Sequence, residues 1–161
     1  MPATTTKDQD AAPAKDGKKL SNFLCFAIYS ANLAFGRAYK PLLDKLGLTY
    51  TQYVTLVALS EEDDQTVGML GEKLFLESNT LTPILKKLEA DGYLKRRRDP
   101  QDERQVRLTL TPAGRALVDA EPGSALLEAT GLGDDFGAVQ QSVADLRDNL
   151  LASMRPGSAK E

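Results

Sequence analysis

The hydrophobic and polar positions of residues 78–90 follow the period of an α-helix. Its apolar side chains recur at intervals of three and four residues and are Leu81, Ile84, Leu85 and Leu88. This spacing predicts a helix with one face toward a core and its polar side chains outside. Gly92 predicts the end of the helix, because glycine takes the left-handed capping conformation at no steric cost. Since Pro83 removes one helical hydrogen bond, we expect a start at Ser78 with a distorted first turn.

The period changes to two after Gly92. Residues 93–98 predict a first strand, and residues 106–111 predict a half-buried second strand, because apolar residues there alternate with arginine and threonine. A charged tip separates the two strands. The helix predicted for residues 78–90, followed by such a hairpin, has the pattern of a winged helix-turn-helix, which binds DNA. We call this helix the recognition helix.

Shorter helical patterns precede the recognition helix. Apolar residues of segment 67–74 lie on one side of a helix, which predicts the first member of the helix-turn-helix pair. The acidic residues of segment 61–65 predict a turn before it. Thr49 or Thr51 is expected to cap the helix that leads into this turn.

The N-terminal part of the chain is unusually apolar. Residues 20–39 have apolar side chains around nearly the whole circumference of a helix. Such a helix is buried, and in so short a chain an interface is a better cover than the core. Pro41 then predicts the first turn of a separate helix that Gly47 closes.

The C-terminal part predicts two further helices. Thr111 and Pro112 are typical of a capped first turn, and we expect a bend or break at Pro122–Gly123. The last helix has an apolar seam formed by Phe136, Val139, Val143, Leu146 and Leu150. Seams of this spacing pack on another helix. Together with the apolar N-terminal helix, which also needs a cover, the seam predicts a homodimer.

The predicted fold class is mainly α with a small β-hairpin wing, a winged helix-turn-helix with N- and C-terminal dimerisation helices. Its parts are a disordered tail at residues 1–19, a domain at 20–154 and a C-terminal tail at 155–161. Within the domain the winged helix-turn-helix spans about 49–111, and the dimerisation helices span about 20–47 and 112–154.

Charge distribution supports an interaction with nucleic acid. The 161 residues have a formal net charge of −3. Residues 86–107, however, contain eight lysines and arginines against five aspartates and glutamates. A basic patch on an acidic body approaches phosphate with one face only.

Composition also limits the chemistry. The chain has no histidine and one cysteine, which excludes an imidazole base, an internal disulfide and a cysteine-clustered zinc site. The acidic pairs Asp63–Asp64 and Asp134–Asp135 are expected to cap helices rather than to act as catalytic carboxylates. We therefore expect neither an enzyme nor a cofactor or metal site. Without a signal peptide or a spanning apolar run, the expected location is the cytoplasm, with no membrane partner.

Several segments resemble a known family of regulators. The wing sequence DPQDERQVRLTLTPAG, residues 99–114, is similar to the D-x-R wing and the following T-x-x-G helix start of the MarR family. Three other segments resemble the OhrR-like organic hydroperoxide-sensing repressors of that family: LCFAIY (24–29), AYKPLLDKLGLTYTQY (38–53) and LESNTLTPILKKLE (76–89). The resemblance covers residues 20–154 and implies a MarR-type winged-helix domain there.

This resemblance implies that Cys25 is a peroxide-sensing thiol and that Tyr29 and Tyr39 hold it. Tyr29 follows Cys25 by one helical turn and shares its face. Tyr39 would lie about 21 Å from Cys25 along a helix, too far to touch it. It could instead contact the Cys25 of an antiparallel partner chain. An organic hydroperoxide would oxidise the thiolate to sulfenic acid, which a small thiol traps as a mixed disulfide or which oxidises further. The dimer would then repack and release its operator.

A twofold dimer would place two recognition helices in successive major grooves of double-stranded DNA, about 34 Å apart, on a near-palindromic operator. Candidates for base and phosphate contacts are Ser78, Asn79, Thr80 and Thr82; candidates for backbone contacts are Lys86, Lys87, Arg96, Arg97 and Arg98. The resemblance implies that Arg104 enters the minor groove and that Asp102 fixes it. Arg107 either joins the backbone contacts or is solvated.

Two other interpretations stay open at this point. A lone cysteine on an apolar helix is often a packing residue, in which case the protein would be a MarR-type regulator of a small aromatic or lipophilic ligand. A thiol peroxidase using Cys25 is the other, although the sequence offers no resolving cysteine.

Overall fold

The computed structural model describes residues 19–124 and 126–155. Most of the two predicted tails, residues 1–18 and 156–161, lies outside the described residues. The chain divides into two compact units, Met1–Arg37 and Ala38–Glu161, which are described separately.

The described part of the first unit is helical. A short 3-10 turn, Leu20–Asn22, precedes helix α1, which spans Leu24–Asp44 and continues into the second unit. Large apolar side chains of the 3-10 turn, of Phe23 and of α1 are exposed in the single chain: Leu20, Phe23, Leu24, Ile28, Leu33 and Phe35. This exposure is not that of a core helix, and the interface expected for this segment stays a prediction.

One continuous helix replaces the two that were predicted around Pro41. The prediction of a separate helix starting at this residue is wrong, because Pro41 lies inside α1. An interior proline removes one helical hydrogen bond and its ring crowds the carbonyl four residues before it. The helix nevertheless continues through Pro41 to Asp44. The predicted closure at Gly47 is confirmed: its φ is +67°, and the Leu48 N–H donates to the Leu43 carbonyl at 3.0 Å.

The second unit contains the helix-turn-helix. Its helices are α2 (Tyr50–Glu61), α3 (Val67–Leu74) and α4 (Ser78–Ala90). Of the two candidate caps, Thr49 begins α2: its hydroxyl accepts the Gln52 N–H at 3.2 Å, and the Gln52 side chain accepts the Thr49 N–H at 2.8 Å. α4 starts at Ser78 and contains Pro83, as predicted.

The core lies between these helices and a small sheet. Its fully buried leucines are Leu56, Leu59, Leu70, Leu81, Leu85, Leu88, Leu94 and Leu108. Three of the four apolar positions predicted for the inner face of α4 are in this set, and Ile84 packs against it. The predicted period of α4 is confirmed. The Gly92 cap is confirmed as well, with φ +82° and the Tyr93 N–H donating to the Leu88 carbonyl at 3.0 Å.

The sheet has one strand more than the predicted hairpin. Strand β1 (Gln65–Thr66) pairs with β3 (Val106–Leu110), which also pairs with β2 (Leu94–Arg98), so the order is β1-β3-β2 and both pairings are antiparallel. The predicted acidic turn therefore ends earlier than expected, since Gln65 belongs to the sheet. Two residues are too few to show a strand period, so only pairing with β3 defines this strand.

Helices α5 (Pro112–Asp119), α6 (Leu126–Ala129) and α7 (Phe136–Ser153) follow the sheet. The predicted Thr111 cap is confirmed, because its hydroxyl accepts the Gly114 N–H at 3.1 Å. A Cβ added at Gly114 would lie 2.1 Å from the Tyr93 carbonyl oxygen, so glycine lets α5 approach the sheet closely. Among the described residues, none in α7 is buried. No described helix is long and apolar enough to cross a bilayer.

Candidate DNA interface and sensor residues

The leading end of α4 presents a polar surface to solvent. Ser78, Asn79, Thr80 and Thr82 are all exposed, on the side opposite the buried leucines. The Thr82 hydroxyl donates to the Ser78 carbonyl at 2.7 Å. Because Pro83 has no N–H, the helix leaves the Asn79 carbonyl without its usual intrahelical donor. This end of α4 therefore offers hydroxyls, an amide and a carbonyl to a ligand.

The turn between α3 and α4 is tight. Phe75 takes the left-handed conformation at φ +56°, and the Leu76 N–H donates to the Gly71 carbonyl at 2.9 Å. A Cβ at Gly71 would lie 2.7 Å from the Leu76 carbonyl oxygen. The contribution of Gly71 to the position of the recognition helix was not predicted, because a glycine inside a helical pattern does not reveal what approaches it.

Carboxylates hold two arginines of β2, Arg96 and Arg97, in place. Glu89 accepts both the backbone N–H of Arg96, at 3.0 Å, and its side chain, at 2.7 Å. Arg97 pairs with Asp64 at 2.9 Å. These contacts fix β2 to the end of α4 and to the segment before β1, so the guanidinium groups stand in set positions.

Arg107 has a place that neither sequence alternative described. Its guanidinium bridges Asp99 at 3.0 Å and Asp64 at 3.1 Å, and it donates to the Asp64 carbonyl oxygen at 2.7 Å. It thereby ties β3 to the base of the wing and to the segment preceding β1. Arg107 is a brace of the wing.

The acidic pair before β1 belongs to the same network. The expectation that Asp63 and Asp64 cap a helix is wrong, since Thr66 caps α3 by accepting the Met69 N–H at 3.2 Å. Asp63 instead accepts the Leu110 N–H at 3.0 Å. The second pair, Asp134–Asp135, does precede a helix, but Asp135 at the start of α7 makes no side-chain capping bond.

The arginines depress the pKa values of their partners. Hydrogen bonds from the side chains of Arg107 and Arg97 hold the pKa of Asp64 below its usual 3.8. The Gln101 N–H, followed by the Arg107 side chain, lowers the pKa of Asp99 in the same way. The side chain and the backbone N–H of Arg96 lower the pKa of Glu89 below 4.5. All three carboxylates are therefore ionised at neutral pH.

The wing tip is built around Asp102. Its carboxylate accepts the Arg104 backbone N–H at 3.1 Å and the Gln105 side-chain amide at 3.1 Å. Asp102 thus fixes the backbone of the tip, and the exposed Arg104 side chain projects from it. Within residues 19–124 and 126–155, Lys86, Arg98 and Arg104 make no ion pair, whereas Lys87 pairs with Asp91 at 2.7 Å.

The candidate sensor cysteine lies at the start of α1. Cys25 is exposed and is the second residue of the helix, closer to its N-terminus than the predicted start near residue 20 implied. Backbone N–H groups in a first turn have no intrahelical acceptor and give that end a positive potential. Tyr29, one turn on, is 58% exposed and packs against Phe26 at a ring distance of 6.3 Å.

The second candidate tyrosine lies in an aromatic cluster of the second unit. The ring centroid of Tyr39 is 5.0 Å from that of Tyr50 and 6.2 Å from that of Tyr53. Burial, followed by the neighbouring Tyr39, raises the pKa of both Tyr50 and Tyr53 above 10.0. Sequence analysis did not single out these two partners, although both lie within the segment AYKPLLDKLGLTYTQY that carried the family resemblance.

A recognition helix with an exposed polar end, a braced basic wing and a buried leucine core define a winged-helix transcriptional regulator. The family model for transcriptional regulator SarA/Rot matches residues 37–120. The HTH-type transcriptional regulator TtmR of Methylorubrum extorquens is 46% identical over 149 residues, which are 90% of this chain and 75% of TtmR. The organic hydroperoxide resistance transcriptional regulator of Bacillus subtilis is 40% identical over 138 residues, which are 84% of this chain and 94% of that protein.

Solved structures agree with these relatives. AbfR of Staphylococcus epidermidis has been solved bound to DNA in an overoxidized form, with a TM-score of 0.68, and in a reduced form, with a TM-score of 0.70. Both are 38% identical to this chain and cover 82% of it and 94% of AbfR. The chain belongs to the SarA/Rot family of winged-helix transcriptional regulators. The prediction of a MarR-type, OhrR-like regulator is confirmed.

Proposed function

We propose that the protein is a dimeric repressor that binds a near-palindromic operator and releases it when an organic hydroperoxide oxidises Cys25. The observation that carries the proposal is the exposed thiol in the first turn of α1, in a chain that contains no other cysteine. The relative from Bacillus subtilis, named for organic hydroperoxide resistance, and the reduced and overoxidized forms of AbfR support it.

The oxidation is a two-electron reaction at sulfur. The Cys25 thiolate attacks the terminal oxygen of the hydroperoxide, a sulfur–oxygen bond forms, and the oxygen–oxygen bond breaks. The alkoxide leaves, takes up a proton and departs as the alcohol, and the cysteine becomes a sulfenic acid. With no second cysteine in the chain, the sulfenic acid condenses with a small cellular thiol to a mixed disulfide and water, or a second hydroperoxide oxidises it further.

Tyr29 and Tyr39 are proposed to donate hydrogen bonds to the thiolate and to the reacting peroxide oxygen. Tyr29 follows Cys25 at the i+4 position of the same helix, where side chains are neighbours. Tyr39 is proposed to reach the Cys25 of the partner chain. A mixed disulfide or a sulfinate adds bulk or charge beside these phenols, and the dimer repacks so that the distance between the two recognition helices no longer fits the operator.

Apolar surface that the single chain leaves exposed supports the proposed dimer. In α7 the seam residues Val139, Val143 and Leu150 are 39%, 50% and 55% exposed. In the first unit the apolar side chains of α1 are exposed as well. Apolar surfaces of this kind usually mark a protein interface, and a second copy of the chain is the proposed cover.

On DNA, the exposed polar end of α4 is proposed to contact base edges in the major groove. Among the candidate contacts, Lys86, Arg98 and Arg104 make no ion pair with any described residue. They are proposed for phosphate and minor-groove contacts, because binding DNA does not cost them a carboxylate partner. Arg97 and Lys87, which are paired but exposed, are proposed as secondary phosphate contacts. Arg96 and Arg107 are proposed to position the wing rather than to contact DNA.

The deciding experiment is a titration of operator DNA with reduced and with hydroperoxide-treated protein, combined with mass spectrometry of Cys25. We expect treated wild-type protein to lose the operator in step with modification of Cys25, and Cys25→Ser to stay bound after the same treatment. Tyr29→Phe and Tyr39→Phe should slow the response, whereas Tyr93→Phe is the matched control from the core of the winged helix. A Cys25→Ser protein that still leaves the operator would refute the thiol mechanism.

A further inference from the structure

The turn between α5 and α6, residues Glu121–Ser124, contacts the phenol of Tyr39. Gly123 in this turn is buried. A Cβ built there would lie 2.6 Å from the Tyr39 hydroxyl oxygen, 2.7 Å from its Cε1 atom and 3.0 Å from its Cζ atom. These are the three nearest atoms, so the Tyr39 phenol occupies the space that a side chain at position 123 would need. The hydroxyl end of the Tyr39 phenol packs directly against the backbone of Gly123.

The turn has a defined conformation. Glu121 adopts φ +44°, which costs a non-glycine residue about 1–3 kcal/mol. The Ser124 N–H donates to the Glu121 carbonyl and the Leu126 N–H donates to the Gly123 carbonyl, each at 3.0 Å. Gly123 itself is outside the left-handed region. Its backbone therefore accepts alanine, and the obstacle to a side chain is the phenol.

Tyr39 has little freedom to give way. Its ring packs against both Tyr50 and Tyr53, with centroids 5.0 and 6.2 Å away. A group that pushed the phenol off Gly123 would have to shift it relative to two neighbouring rings. Conversely, a change at the sensor that moved the Tyr39 phenol toward Gly123 would displace the turn.

Helix α5 and two hydrogen bonds connect this turn to the candidate DNA-binding elements. Helix α5 runs from the turn back to Thr111, whose hydroxyl donates to the Gly92 carbonyl at 2.6 Å and whose N–H donates to the Tyr93 carbonyl at 3.1 Å. Gly92 is the cap of the recognition helix, and Tyr93 directly precedes β2. One short helix thus joins the Tyr39 contact to the point where the recognition helix meets the wing.

We propose that the Glu121–Ser124 turn holds the Tyr39 hydroxyl in its sensing position, with Gly123 as the positioning residue, and transmits displacement of that phenol through α5 to the recognition helix. This inference rests on the proposed function of Tyr39. It adds a second element to the proposed sensor, on a different segment of the chain from Cys25 and from the candidate DNA contacts.

The contact is tested first, independently of peroxide, by a double-mutant cycle of Gly123→Ala and Tyr39→Leu. The chain has five tyrosines and no tryptophan, so near-ultraviolet circular dichroism reports on tyrosine packing without indole interference. We expect Gly123→Ala to change this signal and to lower the denaturant midpoint, and to do neither when Tyr39 is already leucine. Gly137→Ala is the control, since a Cβ there meets nothing within 4 Å. Additive effects in the cycle would overturn the inference.

The response is tested second, by the rate at which an organic hydroperoxide consumes the Cys25 thiol and releases operator DNA. We expect Gly123→Ala to slow this rate on the order of tenfold to a hundredfold, the cost of misplacing a reacting group by about 1 Å, while Gly137→Ala behaves as wild type. A wild-type rate in Gly123→Ala, with Tyr39→Phe slowed, would overturn the inference. Failure of the proposed function has a different signature, a peroxide response that survives Cys25→Ser.

Discussion

Helices α4 and α7 carry apolar stripes of the same spacing but differ in what covers them. The stripe of α4 is closed within its own chain, with Leu81, Leu85 and Leu88 at most 1% exposed. The stripe of α7 is open, and Val143 and Leu150 are about half exposed. The comparison shows that apolar spacing predicts which face of a helix packs. It does not predict whether the surface that it packs against belongs to the same chain or to another molecule. The comparison also separates a winged helix with a closed core from helices whose apolar faces the single chain leaves exposed.

The largest expected effect distinguishes the two stripes by stability. Leu88→Ala should lower the free energy of unfolding by about 2–5 kcal/mol, because it leaves a cavity in a closed core. Val143→Ala should cost far less in the single chain, and its cost should depend on protein concentration, because the seam is covered only in the dimer. Urea titrations at two protein concentrations measure both effects. Equal, concentration-independent losses would show that α7 is covered within its own chain.

A charge in the open stripe should break the dimer. Val143→Asp places a carboxylate in the proposed interface, where an unpaired buried charge costs about 3–5 kcal/mol, roughly a hundredfold or more in the dimer dissociation constant. Sedimentation equilibrium measures the change. Gln141→Glu is the control, because it introduces a carboxylate on the opposite side of the same helix. A Val143→Asp protein that remains dimeric would place the interface elsewhere.

The tight turn of the helix-turn-helix gives a test within the closed part. Gly71→Ala should destabilise the protein by about 1–3 kcal/mol, because its Cβ would meet the Leu76 carbonyl oxygen at 2.7 Å. Gly68→Ala, in the same helix, has only an ordinary 3.8 Å contact and should stabilise by up to about 1 kcal/mol through helix propensity. Thermal unfolding of both variants measures the difference. Equal effects would mean that the turn relaxes around the added methyl group.

Substitution of Arg104 at the tip of the wing should affect DNA binding without affecting the fold. Arg104→Ala is expected to weaken operator binding by about 1–3 kcal/mol and to reduce the salt slope by about one charge. Lys40→Ala is the control, since Lys40 lies in α1 and pairs with Asp44 at 2.9 Å. Fluorescence anisotropy at several salt concentrations measures both quantities. An unchanged salt slope in Arg104→Ala would remove this residue from the interface.

The smallest expected effect concerns the brace of the wing. Asp64 and Asp99 have folded-state pKa values below the ordinary 3.8, so the stability they contribute is present above that pH and is lost as the pH falls through the folded-state values. Arg107→Gln should raise both values toward 3.8 and reduce this acid-dependent loss. Urea unfolding at neutral pH and below pH 3.8 measures it. A parallel loss in both proteins would assign the acid sensitivity to other groups.

Local patterns predicted most of the fold. The period of residues 78–90, the Gly92 cap and the Thr111 cap depend on neighbours within a few positions, and all three are confirmed. Three local predictions failed. Asp63 and Asp64 do not cap a helix, because they bind the distant Leu110 N–H and the side chains of Arg97 and Arg107. β1 is a strand only because Gln65 and Thr66 pair with β3, and Pro41 stays inside α1 although a proline often starts a helix.

The candidate site divides in the same manner. Ser78 to Thr82 and the basic residues of the wing could be named from spacing and charge, because each lies on an element with a clear period. Three of the arginines are held by the carboxylates of Asp64, Asp99 and Glu89 and are therefore less available for DNA. Their spacing from these carboxylates along the sequence does not predict the pairing. The contact between Tyr39 and Gly123 is of this second kind.

By itself, the sequence determined the helix-turn-helix, the buried face of α4, the presence of one cysteine and the basic hairpin, since these follow from residue type and short-range spacing. Tertiary structure alone decided which stripe the chain closes by itself, which cations are already neutralised, and what rests against the Tyr39 hydroxyl. Those outcomes depend on side chains far apart in sequence that approach within a few ångströms, a distance that only the folded backbone sets.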